Sequence, residues 1–227
     1  PIEPHIGKDD YHLSEDLADQ AIKWIRQQQT STPDSPFFCY FAPPAVHAPH
    51  QAPKEWIDKY VGAFDDGWDA LREQIYKRQL NLGVIPEGTQ LTPRPEQIPS
   101  WDSYPDRYKP VATRLMEVFA GFLAHTDAQI KRILDCINET GCADNTLVIY
   151  ITGDNGASAE GTVHGAWSAP SFQNGVHEDP EWLLEHIDDF GTNKCENHFN
   201  VGWAWALDAP FQWMKQVASH FGGTRNA

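Results

Sequence analysis

The sequence predicts an α/β layered fold, a mostly parallel (mixed) sheet flanked by helices. Three observations carry that prediction. An amphipathic helical pattern precedes a short apolar run at 37–41, a long helical stripe at 111–137 precedes a β-branched run at 146–152, and each run opens directly into a loop rich in Gly, Pro or polar residues. Alternating helix and strand patterns of these lengths favour parallel pairing through helical crossovers.

Taken in order, Leu17, Ala21, Ile22, Trp24 and Ile25 recur at helical spacing. Ser14 is suited to cap that helix, and Glu15 and Asp16 to meet the positive end of its dipole, so a helix over 15–29 is expected. The Pro33-Asp34-Ser35-Pro36 cluster ends it. Residues 37–41, Phe-Phe-Cys-Tyr-Phe, then read as a strand buried on both faces, which would bury the Cys39 thiol. Residues 54–60 and 67–82 carry helical patterns, whereas the proline-rich stretch 86–110 lacks periodicity and reads as a surface excursion. The stripe over 111–137 includes Leu115, Met116, Phe119, Phe122, Ile130, Ile133 and Ile137, wide enough to lie on a sheet, and Gly141 is placed to stop it. The 146–152 run feeds Gly153-Asp154-Asn155-Gly156. Beyond it, only 180–190 shows a helical pattern before aromatics gather at Trp203, Trp205, Phe211 and Trp213.

Composition narrows the function. Seventeen Lys plus Arg against 32 Asp plus Glu give a net charge of −15, which excludes an electrostatic nucleic-acid binder. The chain is 41% hydrophobic with nine Trp, enough apolar mass for a core. No apolar run approaches the roughly 18 residues needed to span a bilayer, so no membrane span is expected. Four Cys without C-x-x-C spacing do not form a disulfide scaffold, although Cys136 and Cys142 are close enough in sequence for a local bridge. Compartment and oligomeric state are not legible. Residue 1 is Pro and the last residues stop at a turn, so both ends are expected to be cut.

Three places could carry chemistry. Asp154 and Asn155 stand at the end of an apolar run, where ligands of open α/β sheets gather, and their oxygens suit a hard cation such as Ca²⁺ or Mg²⁺. Two donors are a partial set for an ion that wants roughly six to eight, and an ordinary turn would read the same way. His47 and His50 lie in Ala45-Val46-His47-Ala48-Pro49-His50-Gln51-Ala52-Pro53, where prolines stiffen the backbone around an imidazole able to protonate a leaving oxygen. Lys215 sits among aromatics, a setting in which an ammonium acts strongly on an anionic oxygen or simply snorkels. His164, in Gly161-Thr162-Val163-His164-Gly165, is a further candidate for substrate contact.

These pieces, in order, resemble the type I sulfatases of the alkaline phosphatase superfamily. The resemblance rests on Ser35-Pro36-Phe37-Phe38 leading to His47-Ala48-Pro49-His50-Gln51-Ala52-Pro53, on 144–161 with Gly153-Asp154-Asn155-Gly156, and on Lys215 through Gly222-Gly223-Thr224-Arg225. It implies an alkaline-phosphatase-like fold, incomplete here, with 1–227 the central part of a single sulfatase catalytic domain. It further implies Asp154 and Asn155 as ligands of Ca²⁺, or of Mg²⁺ in some members, and His47 and Lys215 as catalytic groups at the ester. His164 and His50 are carried as substrate-binding candidates. The family nucleophile is a formylglycine made within a C/S-x-P-S/A-R motif, which none of Cys39, Cys136, Cys142 or Cys195 begins. The family's early metal-binding carboxylate pair is also absent, so the fragment by itself is expected to be inactive. The substrate implied is a small-molecule or glycan sulfate ester. A phosphonate or phosphate ester hydrolase of the same superfamily, and a non-catalytic metal- or carbohydrate-binding module, are the alternatives.

Overall fold

The computed structural model describes residues 11–153 and 155–225, which divide into two compact units. The first comprises residues 11–47 and 122–150, and the second 48–121 and 151–225.

In the first unit, helix α1 (Leu13–Ser31) packs against the C-terminal half of a 31-residue helix, Lys109–Glu139. Ala18, Ile25, Ile133, Cys136 and Ile137 form the buried seam, and Phe37 and Phe41 lean on it. The seam follows the apolar stripes of both helices, which is why both were legible in sequence. Polar groups bracket it: Glu15 meets the buried His125 Nε2 at 2.8 Å, Arg26 meets Glu139 at 2.8 Å, and Arg132 pairs with Asp19. The N-cap is His12 rather than Ser14. Its Nδ1 accepts the Ser14 N–H at 3.2 Å, doing what a Ser oxygen would do. Gly141, at φ 75°, supplies the left-handed stop after the long helix.

The second unit contains the helices α2 (Lys54–Ile57), α3 (Gly67–Leu82), the first half of α4 (Lys109–Glu139), and the shorter α5 (Ala169–Gln173), α6 (Pro180–Glu185), α7 (Val201–Leu207) and α8 (Phe221–Thr224). α3 packs on α7, which is apolar all round and buried from Gly202 to Ala206. Having no polar face, α7 lacks the period by which a helix is recognised in sequence. Around it Trp68, Trp101, Tyr104 and Trp203 meet largely edge to face, with Trp68 4.7 Å from Trp101 and 5.5 Å from Trp203. The stretch 86–110 is therefore no surface excursion: Ile98, Trp101 and Tyr104 are buried. Proline denies that stretch a regular period but leaves its aromatic side chains free to enter the core.

The predicted sheet is not found among the described residues. Among the described residues no strand forms, and the only β-pairing is two isolated bridges, Ala166 with His198 and Ser168 with Glu196. Residues 37–41 and 146–152 are not paired into any ladder, and apart from Phe37 and Phe41 their large apolar side chains stand in water: Phe38 is 83% exposed and Leu147 85%. Cys39 is likewise exposed. An apolar, β-branched run signals a segment suited to burial in a sheet, but a strand exists only where neighbours supply its ladder bonds. The local bridge that the sequence spacing allows is not formed: Cys136 and Cys142 are both thiols, the Cys142 sulfur lying 3.2 Å from the Thr140 hydroxyl. Among the described residues no helix is long and apolar enough to cross a membrane.

Candidate active site

Asp154 lies outside the described residues. Its neighbour Asn155 is half-buried, and the loop it begins is pinned at Ala157 from two sides. The Ala157 N–H donates to Asp208 Oδ1 at 2.9 Å, while the Ala157 carbonyl accepts the Lys215 N–H, also at 2.9 Å. The segment after Asp154-Asn155 thus runs directly against the segment bearing Lys215.

The glycines explain how two backbones come so close. A Cβ on Gly156 would stand 1.7 Å from the Gly222 carbonyl oxygen, one on Gly222 would stand 2.0 Å from the Trp213 oxygen, and one on Gly223 2.6 Å from the Val217 oxygen. None of the three could carry a side chain without moving backbone. A further tie follows at Glu160, which is buried and accepts a hydrogen bond from Gln216 Nε2 at 2.9 Å.

Backbone strain marks the same places. Thr162 (φ 57°), Trp213 (φ 65°) and Gln216 (φ 77°) are the non-glycine residues in the left-handed region among those described. The first lies two residues before His164, and the others flank Lys215. Such conformations persist only where surrounding contacts over-determine them, and they gather at functional sites.

The remaining candidates are placed as follows. His47 is exposed in the first unit, its backbone N–H closing a turn on the Pro44 carbonyl at 3.0 Å. His50 is buried in the second unit, its ring 5.1 Å from both Phe119 and Phe199 and 4.9 Å from His198, so it packs among rings rather than facing solvent. His164 is half-buried, its Nδ1 3.0 Å from the Tyr104 hydroxyl, and burial pushes its pKa below the ordinary value. Lys215 is half-buried.

Two residues escaped the sequence reading. Asp208, which holds Ala157, is pushed up to about 8 by burial, against the opposing pull of the Ala157 bond and the Arg72 charge. Arg72 is 1% exposed, stacks on Trp205 and donates to the Phe211 carbonyl at 2.7 Å and to Thr92 Oγ1 at 2.8 Å. Burial lowers its pKa to about 10. The one available signal for Asp208 was a carboxylate placed directly after the apolar stretch 201–207. Arg72 gave none, since it reads as one of several charged positions on a helix.

The donors fit a hard cation in kind but only in part by number. An amide oxygen at Asn155 and a carboxylate at Asp154 are the ligand types that Ca²⁺ and Mg²⁺ prefer. Among the described residues no group of three or more His, Cys, Asp or Glu stands together as a complete set. A separate hollow of about 480 Å³, lined by Gln51, Trp167, Ser168 and Lys194 among others, includes none of the candidate residues.

The loop after Asn155 and the Gly222-Gly223 turn interlock backbone to backbone, with left-handed residues on either side of Lys215. The comparisons make the class definite. The sequence profile of the Sulfatase family matches residues 1–225, and the chain belongs to that family. It is 30% identical over 217 residues to an arylsulfatase of Klebsiella aerogenes, covering 95% of this chain and 44% of that protein. It is 31% identical over 224 residues to an uncharacterized sulfatase of Schizosaccharomyces pombe, covering 97% of this chain and 38% of that one. The chain therefore spans less than half the length of either relative.

Proposed function

We propose that the intact protein hydrolyses sulfate esters, with this chain supplying part of the metal site and three of the groups that act on the ester. The observation that carries the proposal is the pinning of Ala157 between Asp208 and Lys215, which draws the loop after Asn155 and the lysine segment together. Family membership supports the reaction class, and the arylsulfatase relative supports an aryl ester as the first substrate to try.

Asp154 and Asn155 would hold a divalent cation, Ca²⁺ first and Mg²⁺ second, through two oxygen ligands of a larger set. When bound, such an ion supplies positive charge to an ester oxygen, and the formylglycine of the family supplies the attacking oxygen. The chain's own side chains do the rest. The Lys215 ammonium offsets the negative charge on the sulfate, an effect that grows as water is excluded. His47 gives a proton to the departing alcohol or phenol oxygen, which would otherwise leave as a costly anion. His164 lends a hydrogen bond to the ester, whereas His50, already enclosed by Phe119, His198 and Phe199, packs the second unit.

Turnover of a chromogenic aryl sulfate by the full-length protein tests this reading. His47→Ala and Lys215→Ala should each lower kcat by about 10²–10⁴-fold, the range in which positioned proton donors and charge stabilisers act. Undiminished turnover in either variant would remove that residue from the mechanism. Preferential hydrolysis of a phosphonate ester would move the protein to the neighbouring activity.

A further inference from the structure

His164 lies in a loop that is held on several sides. A Cβ on Gly161 would stand 1.8 Å from the Phe199 oxygen, and Gly165, at φ 86°, leaves only 2.1 Å between such an atom and Leu115. The Val163 carbonyl accepts a hydrogen bond from Asn200 Nδ2 at 2.8 Å. A carbonyl can only accept, so this contact fixes which end of the Asn200 amide is the NH₂ group. The same Nδ2 lies 3.4 Å from the Tyr104 hydroxyl, and that hydroxyl lies 3.0 Å from His164 Nδ1.

The proton count along this line has one solution. Tyr104 is 2% exposed and Asn200 fully buried, so their polar hydrogens must find partners within the protein. Since Asn200 donates to the Tyr104 oxygen, the phenol spends its own O–H on something else. His164 Nδ1 is the acceptor within reach. The opposite arrangement, with Nδ1–H donating to the phenol, would give that oxygen two donors and leave its buried O–H with no acceptor among the described residues, a costly state. Nδ1 therefore accepts and Nε2 carries the proton. No bond holds Nε2 among the described residues, and it is not one of the buried orphan atoms, so it faces the open side of a half-buried ring. Burial lowers the His164 pKa and raises that of Tyr104, which keeps both groups neutral and the line of hydrogen bonds intact.

We propose that Asn200 and Tyr104 are positioning residues that lock His164 as an Nε2–H donor, so that the 161–165 loop offers a bound ester one oriented hydrogen bond. The part concerning the ester rests on the sulfatase reading above; the tautomer does not.

Two-bond ¹H–¹⁵N correlation spectra of the full-length protein labelled with ¹⁵N-histidine test it near neutral pH, with His164→Gln identifying the resonance. The expected pattern is a protonated Nε2 and a bare Nδ1, shifting towards a mixture of tautomers in Tyr104→Phe. A protonated Nδ1 in the wild type, which needs no variant to observe, overturns the proposal, as does an unchanged tautomer in a folded Tyr104→Phe. With an aryl sulfate, Tyr104→Phe should raise KM about three- to tenfold, the worth of one hydrogen bond, with kcat changed less. An inactive protein whose His164 is Nε2–H supports the lock and overturns the function proposed above. An active one whose His164 is Nδ1–H overturns the lock alone.

Discussion

The aromatic cluster of the second unit and the apolar run at 147–151 are both built from large apolar side chains, yet only the cluster leaves water. Trp68 and Trp203 are fully buried, while Leu147 and Ile151 are 85% and 79% exposed. The cluster can close on itself because its few polar atoms find partners nearby: the Trp68 indole donates to the Pro99 carbonyl at 3.0 Å and the Trp203 indole to the Ala112 carbonyl at 2.9 Å. An extended run has a donor and an acceptor at every residue and can bury its side chains only where neighbouring strands take up those groups. Apolar content therefore measures what a segment would gain by burial, while its backbone decides whether burial is available locally.

The contrast predicts a graded series of effects. Trp203→Ala should cost the most, about 3–5 kcal/mol, by opening a cavity beside Trp68. Urea unfolding of the chain measures it, and a loss below 1 kcal/mol would show that the cluster is not the core of its unit. A smaller, pH-dependent effect belongs to Asp208. Its folded pKa of about 8 lies above the ordinary value of 3.8, so the folded chain holds the more protons between those limits. The stability this group contributes is full below about pH 4 and is lost as pH rises through about 8. Unfolding midpoints measured across that range should fall more steeply for the wild type than for Asp208→Asn, and parallel slopes would contradict the assignment. The smallest change is expected at Ile149, which is 72% exposed. Ile149→Thr in this chain should move stability by less than about 0.5 kcal/mol, as exposed substitutions do, whereas a loss above 1 kcal/mol would show the run to be covered.

The same contrast explains what was legible beforehand. α1 and α4 carry polar and apolar faces of their own, so their period announces them within a residue or two of their true ends. The runs at 37–41 and 146–152 announce only a capacity to pair, and the described residues offer no ladder. α7, apolar on every side, and the core residues Trp101 and Tyr104 in a proline-rich stretch lack any period to read. At the candidate site, motif residues such as Asn155, Gly156, Lys215 and Gly222 could be named from their order along the chain. Asp208 and Arg72 could not, because their roles depend on Ala157, Trp205 and Phe211, which are 51, 133 and 139 residues away in sequence.

Calorimetric titration of the full-length protein with Ca²⁺, wild type against Asp154→Ala, addresses the central claim most directly. Saturable binding that weakens on the order of 100-fold in the variant is the predicted result, since removal of a charged oxygen ligand lowers affinity for a hard cation steeply. Equal binding by the two proteins would contradict it.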